Sequence, residues 1–134
     1  MDRRVVLLGL VAAHLVVATV HGTAHALVPV RLTAWGNAVV VATTFVGPVV
    51  GVALAWRGHP LGVPVFTASM AGALATGGVL HFLVENPDHV HAIPAGRWQL
   101  PFRASAGALA ITQAVAVGVG TWYWYLRARL STAV

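Results

Sequence analysis

The chain has no cysteine and no lysine, and among its 134 residues only Asp2, Glu85 and Asp88 are acidic. Without cysteine there is no disulfide framework, thiolate metal site, iron–sulfur cluster or thiol catalysis. Charged residues make up 8% of the chain, against about 25% in an ordinary soluble domain. Too few charges remain to clothe a soluble enzyme in water. Also missing are an HExxH zinc motif, a P-loop, a nucleophile elbow and a dinucleotide fingerprint, so no short motif names a reaction.

What is present is apolar. Hydrophobic residues account for 58% of the chain, and the mean hydropathy is +0.81, which excludes a disordered polypeptide as well. All eight basic residues are arginine and the pI is near 11.5. These arginines do not form the clustered basic face that nucleic-acid binding requires. They stand singly or in pairs at the ends of apolar runs, as membrane anchors do. No nucleic-acid partner is expected; the lipid bilayer is. Abundant Ala, Val, Gly and Arg without lysine suits a GC-rich prokaryotic genome.

Four apolar runs approach the ~20 residues needed to cross a hydrocarbon core about 30 Å thick. They cover about residues 5–28, 35–56, 63–84 and 102–126, with Pro29, Pro64, Pro87 and Pro101 near their ends and Pro48 inside the second. The last closes on Trp122, Tyr123, Trp124 and Tyr125, residues at home among lipid headgroups. Short links make neighbouring helices antiparallel. The expected fold is all-α: one domain over residues 1–134, an integral membrane four-helix bundle running up-down-up-down. Arg3, Arg4, Arg57, Arg127 and Arg129 fall on one side, and Arg31, Arg97 and Arg103 on the other. The excess places both termini in the cytoplasm of a cell (plasma) membrane protein, with Glu85 and Asp88 facing outward. Arg3-Arg4, an apolar run and Ala24-His25-Ala26 imitate a cleavable signal peptide. The run exceeds the usual ~7–15 residues, however, and His14 and His21 interrupt it, which favours a retained span.

Small and polar residues recur at helical spacing on the second span (Asn37, Thr44, Pro48, Gly51, Ala55) and the fourth (Ala106, Gln113, Ala116, Gly120). Such faces pack against other helices inside a membrane. Pro48 leaves the Thr44 carbonyl without its helical donor, for a hydroxyl or a neighbouring helix to satisfy. Gln113, an amide at mid-span, calls for a partner.

Seven histidines are the unusual chemical resource. At 3.6 residues per turn, His14, His21 and His25 fall within about 40° of one another on the first helix. His81 and Glu85, four apart, share a face of the third. In the up-down-up-down order the first and third spans run parallel, so His25 and Glu85 stand where their helices leave the membrane, with His21 and His81 about 6 Å deeper. Two layers are expected, His21 with His81 and His25 with Glu85. The block Asn86-Pro87-Asp88-His89-Val90-His91 follows directly, adding Asp88, His89 and His91 as loop donors.

Imidazoles four apart on a helix can chelate a divalent ion, and a carboxylate completes the shell or orients a ligand. The expected metal set is His21, His25, His81, Glu85, Asp88, His89 and His91, suited to zinc, copper or iron. A haem b between His21 and His81 is the competing cofactor, its propionates met by Arg31, Arg97 or Arg103; crowding by His25 and Glu85 opposes it. His14 lies too far below to join the same ion and looks toward Gln113 or Thr44, and His59 is read as a solvated loop residue. Two further readings stand beside metal binding. One is a membrane enzyme using a His/Glu acid–base pair on a lipid-soluble substrate; the other is an accessory subunit packed against other membrane subunits.

Overall fold

Helix α1 (Arg3–Ala26) begins at Asp2, whose carboxylate accepts the Arg4 N–H at 2.8 Å. That satisfies a donor the first turn cannot bond internally. Thr33 does the same for α2 (Ala34–Trp56), accepting from the Gly36 N–H at 3.0 Å. Gly58, at φ 75°, turns the chain toward α3 (Gly62–Leu83). Helix α4 (Gln99–Ser131) starts earlier than the position of Pro101 suggests. Proline is tolerated in a first turn, where its missing N–H would have had no helical acceptor. The helix also runs on past the aromatic string rather than ending with it. This computed structural model describes residues 2–131, and no strand occurs among them. All four helices are long and apolar enough to cross a membrane.

Two helices carry a widened turn. Residues Val41–Val46 of α2 and Val79–Leu83 of α3 adopt π geometry, a feature concentrated at functional sites. The first lies just before Pro48, which has no N–H to give the Thr44 carbonyl. His14 supplies the donor from α1, its Nε2 lying 2.9 Å from that oxygen. The second ends α3, where Val84 leaves the helix at φ −112° and ψ 126°.

Packing divides the molecule into two halves. Helix α1 lies along α4, α4 along α3, and α3 along α2; α1 meets α2 over Val41–Trp56 but scarcely touches Ala34–Val40. In the closed half Leu7, Val11, Val52, Phe66, Met70 and Ala116 form the main core. Gly51 permits it: a Cβ there would fall 2.6 Å from Phe66 Cα, so only glycine lets α2 and α3 approach this closely. In the other half a smaller core of Ala24, Val30, Val90, Ile93, Phe102 and Ala106 supports the loops. The outward faces are apolar, with Val16, Ile111 and Leu83 all about two-thirds or more exposed (66%, 67% and 76%).

Candidate histidine–aspartate site

His21 and His25 project from adjacent turns of α1, and the widened turn of α3 directs His81 inward to meet them. The His21 and His81 rings touch edge to face, centroids 5.0 Å apart. His25 stands 5.9 Å from His21 and 6.5 Å from His81. Phe102, fully buried at the start of α4, packs on all three rings at 5.0–5.5 Å. The expected meeting of His21 with His81 is therefore present. His25 meets Asp88 instead of Glu85.

The hydrogen-bond partners assign which nitrogens carry protons. Ser105 Oγ has three neighbours for its one hydrogen, the Pro101 carbonyl at 2.7 Å, the Phe102 carbonyl at 3.1 Å and His21 Nδ1 at 3.0 Å, and the shortest contact assigns it to Pro101. With the hydrogen there, the same oxygen accepts from His21 Nδ1. His21 therefore holds its proton on Nδ1 and, when neutral, keeps a lone pair on Nε2. His81 Nδ1 lies 3.0 Å from the Asp88 backbone carbonyl, an acceptor only, so the same tautomer follows. Anchoring one ring nitrogen to oxygen is how a protein orients an imidazole whose other nitrogen is to act as a ligand or base.

The Asn86-Pro87-Asp88 block explains how a loop carboxylate reaches the bundle interior. Asn86 Nδ2 donates to the Leu80 and Val84 carbonyls at 2.8 and 2.6 Å, capping the end of α3, while its Oδ1 accepts the Asp88 N–H at 2.8 Å. Val90 N–H then donates to the His81 carbonyl at 3.0 Å, and Arg103 Nε to the Val90 carbonyl at 2.6 Å. The chain is folded back over His81 and Asp88 is turned inward, 3% exposed. Asp88 Oδ1 lies 2.9 Å from His25 Nε2, and Oδ2 lies 3.6 Å from His81 Nδ1. The approach to His25 is short but off the hydrogen-bonding axis, so both His25 Nε2 and Asp88 Oδ1 are buried without a completed hydrogen bond. Buried polar atoms left in this state are uncommon.

Glu85, His89 and His91 lie apart from this cluster. Helix α3 ends at Leu83, and its widened last turn breaks the 3.6-residue spacing that would have stacked Glu85 over His81; Glu85 is exposed. The His89 and His91 rings pair with each other at 5.3 Å, and His91 N–H donates to His89 Nδ1 at 3.2 Å. Arg103, considered above for a propionate, is engaged by the Val90 carbonyl. His14 is wholly buried on Thr44, with its Nδ1 unpartnered. His59 is exposed and its Nδ1 accepts the Leu61 N–H at 3.2 Å. Ser105 and Phe102 complete the site, and nothing in a run rich in small and apolar residues marks them out beforehand.

Among the described residues no three His, Asp or Glu side chains stand ready-made around one point to hold a metal ion. The edge-to-face ring contacts account for this, since they leave the imidazoles crossed. Beside the cluster a cavity of about 550 Å³ extends into the bundle between the separated parts of α1 and α2, reaching Ala18, Gly22, Val40, Thr44, Leu109 and Gln113. Comparison with protein-family models, curated proteins and solved structures finds no match.

Proposed function

We propose that this chain is an integral membrane protein, crossing the bilayer up-down-up-down, that binds a divalent transition-metal ion through His21, His25 and His81. Asp88 serves as the fourth donor or as the group that orients His25. The observation that carries this reading is the pair of anchored imidazoles: His21 and His81 touch, each held through Nδ1 with Nε2 carrying no protein partner. The unfulfilled His25 Nε2 and Asp88 Oδ1 supply further donors within the same group. Loading requires the rings to turn out of edge contact until their lone pairs converge. Three nitrogens and one oxygen suit zinc, copper or iron. Haem b fits less well: rings in contact at 5.0 Å, with Phe102 against both, leave no slot for a porphyrin plane.

Apolar outer faces and exposed Trp35, Trp56, Trp122 and Trp124 near the helix ends support a bilayer setting. The arginine excess at the opposite end supports cytoplasmic termini and an outward-facing site in the plasma membrane. The test is metal analysis of protein purified in mild detergent, stripped with chelator and reloaded with zinc. Wild type is expected to retain one ion per chain, and His21→Ala and His81→Ala each to lose most of it, with His59→Ala unaffected. Equal retention by all three variants would refute the site.

The His25–Asp88 contact favours one second reading, a metal-independent acid–base pair acting on a lipid-soluble substrate. Turnover surviving complete removal of metal would establish it.

A further inference from the structure

The cavity beside the histidines has a feature the metal reading does not use. Gln113, on α4, is only 4% exposed, lines the cavity, and has no hydrogen-bond partner among the described residues. Its amide therefore depends on whatever occupies the cavity for a hydrogen bond, and a polar group left there without one is costly. At the other end of the same space lies His21, whose Nε2 lone pair also lacks a protein partner. Ser105, which holds His21, precedes Gln113 by eight residues on one helix, a rise of about 12 Å. Between these two stations the wall is largely apolar: Ala18, Gly22, Leu109 and Ala110. Apart from Arg31, the ionisable groups lining the space belong to the histidine–aspartate cluster itself.

We propose that this cavity binds an uncharged, lipid-soluble aromatic diol of the hydroquinone class, one hydroxyl donating to His21 Nε2 and the other to the Gln113 side-chain carbonyl. Two hydroxyls para across a six-membered ring, each bonded at about 2.7–2.8 Å, bridge an interval of the order of the rise between Ser105 and Gln113. The ring faces the apolar wall. Access is from the bilayer, where α1 and Ala34–Val40 of α2 stand apart. Gly22 borders that opening, and a Cβ there meets nothing within 4 Å. The tautomer logic adds a preference: an oxidised quinone offers only acceptors, so it can bond the Gln113 amide but not the His21 lone pair.

The diol and a metal ion would compete, since an ion on His21 Nε2 would take the same lone pair. The test therefore uses chelator-stripped protein in detergent, titrated anaerobically with duroquinol and separately with duroquinone. Saturable one-to-one binding is expected, with the quinol about tenfold tighter than the quinone, the worth of one hydrogen bond. Gln113→Leu should weaken the quinol by a similar factor, and Gly22→Leu, which fills the opening without touching either acceptor, should weaken both probes. Equal affinities for the two probes, or full affinity in Gln113→Leu and Gly22→Leu proteins that melt like wild type, would overturn the proposal. Added zinc separates the two ideas. Zinc that displaces quinol supports both; quinol binding to a protein that takes up no zinc keeps this proposal and ends the metal reading. Zinc uptake without quinol binding does the reverse.

Discussion

The half of the bundle around Phe66 and the half around His21 draw on the same apolar alphabet and pack in opposite ways. Around Phe66, glycines bring α2 against α3, and Leu7, Val11 and Met70 close the interior. Around His21, α1 draws away from the start of α2, three imidazoles and a carboxylate fill the middle, and a cavity remains. The first half is close-packed throughout. The second keeps buried polar atoms short of partners, a condition a protein sustains where structure elsewhere holds it in place.

The largest effect that would break this contrast is expected at Phe66. Phe66→Ala should lower stability by about 3–5 kcal/mol, read from denaturation in detergent, because a large side chain is removed from a close-packed core. Zinc stoichiometry below the melting transition should be unchanged. A metal loss that parallels the stability loss would show that the halves are not separable.

Asp88→Asn should act the other way round. Zinc affinity is expected to fall by about 10–100-fold, the usual consequence of removing a group that orients a ligand, with little change in melting temperature. An unchanged affinity would remove Asp88 from the site. His14→Leu strips the Thr44 carbonyl of its donor and should cost about 1–2 kcal/mol of stability without altering zinc binding. If zinc binding falls with it, the α2 turn and the site are coupled. The smallest effects are expected from Glu85→Gln and His91→Ala, within about 0.5 kcal/mol in stability and with full zinc uptake. Loss of zinc in either would return those residues to the ligand set.

The four helices are legible in hydropathy because twenty or so apolar residues admit few other folds. The meeting of His21 with His81 is legible too, from helical spacing and from equal depth on the first and third spans of an up-down-up-down order. Glu85 misleads because periodicity assumes uniform 3.6-residue turns, whereas the last turn of α3 is widened and the helix stops at Leu83. Asn86 and Pro87 signal a turn but not its direction, which depends on Arg103 and the His81 carbonyl in distant segments. Pro48 announces a free carbonyl at Thr44, and the structure chooses His14 to fill it. Ser105 is one hydroxyl among many and gains its meaning only from the His21 ring beside it.

The proposed metal site requires imidazoles from α1 and α3 to close together on one ion. X-ray absorption at the zinc edge of the loaded protein reads that shell directly. About three imidazole nitrogens near 2.0–2.1 Å and one oxygen at a similar distance are expected. A shell of oxygens with at most one imidazole would contradict it.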